Sequence, residues 1–361
     1  MASERQAFID WMKALGMLLI VTGHVIGSPF AMFNEATQPI YTKQLGVAFF
    51  IFIMGWGLAR ESGSWVQVLF KRLFQIYFFG ISCALLLSVV FWFATGDLNE
   101  SNYLPFIAGV NVLVNYFPAN PTTWYIGTYL HVLLFWAVLV RHIRVTPLLM
   151  LVALLFEMLV RGYLISLDKD FVAYMTLPNW LTVFLLGCWL SDRKDLGANP
   201  RALVFAVPWL GFLLLWSWYF DGWSLDKGFP FRSFPQEQTA LLIGLQSALI
   251  SVVYLLNSWL CFEVVRRLVH SSVVQFFARN TLLVFIIHMP IIFEFSGDFY
   301  RFVESHTPWG ESKQVIWVVV LFVGLSLLSE MINRLVKPHR LQRLAWQWSE
   351  PPLAKLGLLK R

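Results

Sequence analysis

Near the start of the chain, Lys13 and His24 stand eleven residues apart in the apolar run RQAFIDWMKALGMLLIVTGHVIGS, with Asp10 three residues before the lysine. In a helix eleven residues turn through about 1,100°, three full turns and roughly 20°, so Lys13 and His24 lie on one face about 16 Å apart and Asp10 falls on the same stripe. A charged side chain at that depth in a membrane costs roughly 2.5 to 3.5 kcal/mol on insertion scales, so its default reading is functional. Imidazole is the one titratable group that stays neutral there at little cost and still takes a proton near pH 7. His24 is therefore a candidate general base. Lys13 and Asp10 read as a cation and its orienting carboxylate, nearer the membrane surface.

That chemistry needs helices that span a membrane, and the composition calls for many of them. Of the 361 residues 58% are apolar and 13% charged, with a mean hydropathy of +0.64, whereas soluble domains carry about 25% charged residues. The expected fold is an all-α polytopic membrane protein, 1–361 forming a single domain. Seventeen Trp and eleven Tyr suit the interfacial belts. The net charge of +6 reflects loop cations and implies no nucleic-acid partner. Cys83, Cys188 and Cys261 lie in apolar runs without metal-ligand spacing, so neither a disulfide framework nor a metal site is expected.

About ten spans are predicted: Phe8 to Ile26, Gln44 to Leu58, Leu73 to Ala94, Trp124 to Val140, Pro147 to Leu164, Pro178 to Leu190, Ala202 to Phe220, Thr239 to Cys261, Thr281 to Phe295 and Val315 to Val336. Leu104 to Phe117 is apolar too, but Asn111, Asn115, Pro105 and Pro118 mark it as an interfacial or re-entrant piece. The first run is short enough to resemble a secretory signal. His24 inside it and the lack of an A-x-A cleavage site argue that it is retained. With ten spans and a cytoplasmic N-terminus, 20 of the 27 Lys and Arg residues fall on the inner side, the bias that sets orientation, so both termini are expected in the cytoplasm. The first and ninth spans then both run outward. His288 lies nine residues past Arg279, as His24 lies eleven past Lys13, so the two imidazoles are expected at comparable depth in one chamber.

The opening pattern, an acidic residue, a cation three later and His eleven beyond it, resembles the first helix of the membrane acyltransferase 3 family, integral membrane proteins that acylate sugars and related acceptors. The late run Asn280-Thr281-Leu282-Leu283-Val284-Phe285-Ile286-Ile287-His288-Met289-Pro290 is similar to that family's late helix, Ser or Thr, aliphatics, an aromatic, then His and Pro. Shorter matches are Phe50 to Gly55 in the second span, Arg72 and Ile76 at the start of the third, Trp124-Tyr125 after Asn120-Pro121, and Phe184-Leu185-Leu186-Gly187. The chain departs from the usual family pattern at Lys13 (Arg), Met54 (Ser), Gln75 (a second Arg) and Phe285 (Tyr).

The resemblance implies an acyl-CoA-dependent O-acyltransferase of a bacterial inner membrane. It would move an acyl group, acetyl above all, to a hydroxyl of a sugar, glycan or lipid-linked saccharide, with acyl-CoA as co-substrate and no bound cofactor. His24 would be the base, assisted by Asp10 and His288. Lys13, Arg72 and Lys71 would hold the donor's phosphates, and Trp124 and Thr281 would line the chamber. The rival class is a proton-coupled carrier in which His24, His131 and His288 form a relay, although no internal repeat of the transporter kind is visible.

Other polar residues in the spans read as structure. Glu157 and Arg161, and again Glu330 and Arg334, are spaced i to i+4 and face one another on a helix. His131 reads as a hydrogen-bonded structural histidine. The cation bias yields a direct test: a cysteine placed at Asp226, like one at Asn99, should be labelled by an impermeant reagent from outside only. Labelling of Asp226→Cys from the inside alone would overturn the ten-span order.

Overall fold

The computed structural model describes residues 6–26, 42–96, 104–114, 122–193, 201–202, 204–209, 211 and 240–359. It is 85% helix, and no strand occurs among the described residues. An apolar run removed from water must close its backbone hydrogen bonds within itself, which a helix does. In chain order the helices are α1 (Ala7–Val25), α2 (Thr42–Leu58), α3 (Trp65–Thr95), the single turn α4 (Leu104–Ile107), α5 (Thr123–Val138), α6 (Pro147–Ser166), α7 (Asp170–Met175), α8 (Leu181–Ser191), α9 (Ala240–Val265), α10 (Ser272–His306), α11 (Lys313–Val336) and α12 (Pro338–Lys355).

Seven of these, α1, α3, α5, α6, α9, α10 and α11, are long and apolar enough to cross a membrane. The expected spans Gln44 to Leu58 and Pro178 to Leu190 are shorter apolar helices, the second entered through a 3₁₀ turn at Leu177–Trp180. The span Ala202 to Phe220 lies largely outside the described residues, as do Asn99, Asn120, Pro121 and Asp226. From Leu104 the chain is helical for one turn and then continues in turns to 114, without crossing. The ninth expected span grows in both directions: α10 has 35 residues, about 52 Å at 1.5 Å per residue, so its ends stand clear of a hydrocarbon layer of about 30 Å. The amphipathic α12 is an element that hydropathy did not announce.

Local chemistry sets the ends. Ser64, Thr146 and Ser271 cap α3, α6 and α10 by accepting from the amides of Gln67, Leu149 and Val274 at 3.2, 3.2 and 3.4 Å. Between α11 and α12 the break is sharp, because Lys337 takes a left-handed conformation (φ 50°) and Pro338 opens the next helix. Glycines allow the central helices to touch backbone to backbone. A Cβ on Gly55 would lie 2.1 Å from the Phe184 carbonyl oxygen, and one on Gly187 would lie 2.1 Å from that of Phe52, so α2 and α8 interlock through a reciprocal pair. Gly16 and Gly46 do the same between α1 and α2.

The cations collect at one end of the bundle. There the Trp56 indole donates to Gln6 (2.9 Å), Arg60 to Ser191 (2.9 Å) and Trp11 to the Val269 carbonyl (3.0 Å), while Arg279 pairs with Glu330 (2.9 Å). These contacts bring the start of α1 and the ends of α2, α8, α9 and α11 to the same level.

Glu157 and Arg161 form a wholly buried ion pair, 2.6 Å apart, that joins α6 to three neighbours. Arg161 also donates to Asn179, Ser247 and Ser251, and Glu157 accepts from Ser251 and the Thr182 amide. Two buried charges are tolerable only when so fully answered, and removing one partner of such a pair costs about 3 to 5 kcal/mol. Arg161→Met should therefore lower the unfolding temperature sharply. The double variant Arg161→Met, Glu157→Gln should recover part of that loss, and a single variant as stable as wild type would contradict this role.

Candidate functional site

His24 lies one residue from the end of α1, and His288 sits mid-way along α10, directly before a helix irregularity that its own sequence creates. Pro290 has no N–H to give to the carbonyl four residues back, which is that of Ile286. The hydroxyl of Thr122, at the head of α5, donates to that oxygen instead (3.2 Å). A proline two residues past His288 is thus answered by a side chain from another helix, which fixes α5 against α10 at the level of the imidazole.

The two rings meet. His288 Nε2 lies 3.1 Å from His24 Nδ1, with ring centroids 4.9 Å apart. His288 is fully buried and His24 partly so. Their surroundings assign the protons. His288 Nδ1 is 2.7 Å from the Phe285 carbonyl and 3.2 Å from that of Val284, so in the neutral ring Nδ1 must donate and Nε2 must accept. His24 Nδ1 then faces two acceptors, His288 Nε2 and the Ile20 carbonyl at 3.0 Å, and it too must carry hydrogen. The directed chain runs from His24 Nδ1–H to His288 Nε2 and from His288 Nδ1–H to Phe285. It leaves His24 Nε2 as the bare nitrogen, a lone pair suited to take a proton.

One cavity opens on His24, and a second lies beyond Phe285. The first, of about 210 Å³, is lined by His24, Lys43, Thr122, Trp124, Phe285 and Met289, among others. The second, of about 650 Å³, reaches from Tyr125, Tyr129 and Phe285 to the cation-rich end of the bundle, where Lys71, Arg279, His339 and Gln342 rim it. Phe285 belongs to both, its ring 5.0 Å from Tyr125 and 5.8 Å from His288. The Phe285 ring thus stands between a small cavity that holds His24 and Lys43 and a larger one that holds Lys13, Lys71, Arg72 and Arg279.

The structure distributes the expected site residues between these spaces. Lys13, Lys71, Arg72 and Thr281 line the larger cavity, and Trp124 joins His24 at the smaller. Asp10 is buried and lines neither. Arg72 is already engaged: its guanidinium donates to Glu61 at 2.6 Å and lies against the Tyr129 hydroxyl, while Lys71 stands 3.6 Å from the same carboxylate. The Thr281 hydroxyl donates to the Ala278 carbonyl of its own helix (3.0 Å). His131 bonds the Gly109 backbone and lines neither cavity. Sequence reasoning missed Lys43, Glu61, Tyr129 and the α12 residues at the rim. No spacing rule links any of them to His24.

Among known proteins, the model of a family described as an acyltransferase domain matches residues 6–331. No curated protein and no solved structure matches the chain. The tautomer assignment can be checked without any substrate. Ring-¹⁵N spectra of histidine-labelled protein at neutral pH should show His24 protonated at Nδ1 and bare at Nε2, and His288→Phe should release that preference. The opposite tautomer in the wild type would overturn the assignment.

Proposed function

This chain belongs to the acyltransferase 3 family, and from that premise we propose that it transfers an acyl group, taken to be acetyl, from acyl-CoA to a hydroxyl of a saccharide or lipid-linked saccharide in a bacterial inner membrane. The observation that carries this reading is the directed histidine pair, which frees one nitrogen on a ring lining a cavity only one side chain away from a second, cation-rimmed cavity. A thioester is already activated, so the remaining task is to deprotonate a weakly acidic alcohol as it attacks, and a neutral imidazole screened from bulk water suits that task.

In this reading the donor's charged nucleotide stays at the cation-rich, cytoplasmic end. Its pantetheine arm extends past Tyr129 and Tyr125, and the Phe285 ring turns aside to admit the thioester to His24. The acceptor occupies the smaller cavity against Trp124. Its oxygen adds to the thioester carbonyl while the hydroxyl proton passes to His24 Nε2. Lys43, lining the same space, is placed to meet the negative charge that develops on the carbonyl oxygen. Collapse of the tetrahedral adduct breaks the C–S bond, and the departing thiolate recovers the proton from His24. His288 is a positioning residue throughout, accepting from Nδ1 and so keeping Nε2 free. Lys13 lines the donor cavity, which favours a role with the donor's phosphates over one at the oxyanion.

A proton relay through His24, His131 and His288 draws less support, because His131 is committed to Gly109 away from the other two. Purified protein incubated with labelled acetyl-CoA and a saccharide acceptor should transfer the label. Loss of a general base typically costs 10² to 10⁴ in rate, so His24→Ala should reduce transfer by about that factor while the protein remains inserted and folded. His288→Ala should cost less, and Lys13→Arg should retain activity. Near wild-type kcat/KM in well-folded His24→Ala would dismiss His24 as the base.

A further inference from the structure

Beyond the family match, which ends at residue 331, the chain forms one more helix, and its placement is specific. The left-handed Lys337 and Pro338 turn α12 back so that it lies along the start of α3. Gln75, at a position where the family usually carries arginine, docks it. The Gln75 amide donates to His339 Nδ1 (2.8 Å) and to Gln342 Oε1 (3.1 Å), and Gln342 Nε2 donates to the Lys71 carbonyl (2.6 Å). The Phe70 and Trp346 rings meet at 5.0 Å. His339 and Gln342 thereby enter the rim of the donor cavity.

Next to that rim lies another cavity, of about 610 Å³, which shares Gln75, Arg279 and His339 with it and adds Lys337, Arg340 and Arg343. Its one acid, Glu330, is taken up by Arg279 (2.9 Å) and Arg334 (2.8 Å). Among the described residues neither Arg340 nor Arg343 has an ion-pair partner. Because His339 Nδ1 accepts from Gln75, the neutral ring carries its hydrogen on Nε2 and offers one more donor. The result is a cationic hollow beside the donor mouth. Arg72 inside the mouth is meanwhile bound to Glu61.

We propose that His339, Arg340 and Arg343 of α12 form a binding site for a terminal phosphate monoester of the donor nucleotide, the 3′-phosphate of the coenzyme A portion. The proposal rests on the donor reading above. That phosphate lies at the end of the donor remote from the thioester, where a molecule threaded toward Phe285 leaves it at or beyond the rim. Arginine forks suit its two charges and three free oxygens. Gln75 in place of a cation is then no loss of charge at the mouth, since it tethers a helix that brings several.

The test uses the full chain in nanodiscs of mixed phosphatidylcholine and phosphatidylglycerol, with acetyl-CoA and 3′-dephospho-acetyl-CoA as probes and calorimetry as the measurement. Wild type should bind acetyl-CoA about tenfold more tightly than the dephospho form, as charge-assisted phosphate contacts are worth. Arg340→Gln with Arg343→Gln should abolish that preference at unchanged unfolding temperature, leaving affinity for the dephospho form within about twofold, and Arg340→Lys with Arg343→Lys should keep part of it. A preference that survives the glutamine substitutions overturns the site. So does an intact preference accompanied by loss of bound phosphatidylglycerol in native mass spectra, which would make the hollow a lipid-headgroup site. Wild type that binds neither nucleotide overturns the donor reading itself, a failure distinct from that of α12 alone.

Discussion

Within the hydrocarbon layer no water stands by to satisfy a stray donor or acceptor, so a polar group there must find its partner in the chain. The arrangement of this bundle follows from how that demand is met at a few places. Pro290 orphans the Ile286 carbonyl, and Thr122 of α5 answers it. Arg161 is answered by Glu157, Asn179, Ser247 and Ser251, which ties α6 to the turn before α8 and to α9. Each bond joins helices that are otherwise greasy and featureless, and so gives a register to surfaces that apolar packing alone would leave free to slide.

The same demand separates structure from chemistry. In the Glu157 network each charged atom of the pair is answered deep in protein, and the pair lines none of the cavities described above. The histidine pair is built differently. Its bonds run in one direction, from His24 to His288 to the Phe285 carbonyl, so the chain of donors ends with one nitrogen that, among the described residues, accepts no hydrogen bond. That nitrogen belongs to a ring beside a cavity. A saturated polar cluster stabilises, whereas a directed one with a single remainder is poised to exchange a proton with whatever enters.

Charge is partitioned along the membrane normal by similar economics. Cations at the headgroup level cost little and hold the bundle's orientation, and here they also rim the larger cavity. Burying Arg72 beneath them brought Glu61 with it. A neutralised arginine contributes shape and hydrogen bonds to the cavity wall more than free charge, while Arg340 and Arg343 of α12, in the neighbouring hollow, have no ion-pair partner among the described residues.

The helical class, the membrane setting, the approach of His24 to His288 and the pairing of Glu157 with Arg161 were legible in the sequence, because each follows from a period, a run length or the cost of a polar group in oil. Helix phase placed Lys13 and His24 on one stripe, and they line two cavities that share Phe285. Phase could not say that Thr281 lines the larger cavity while Trp124 lines the smaller one with His24, since that depends on how α5 and α10 are rotated against α1. Nor could it show that Arg72 is spent on Glu61, that Lys43 turns inward to the smaller cavity, or that α12 folds back on Gln75. Those contacts join residues far apart along the chain, and a pattern read locally carries no information about which distant side chain completes a hydrogen bond. The sequence by itself determined which groups were too costly to be idle; the tertiary structure alone decided their partners, because a partner is set by the packing of whole helices and not by spacing along any one of them.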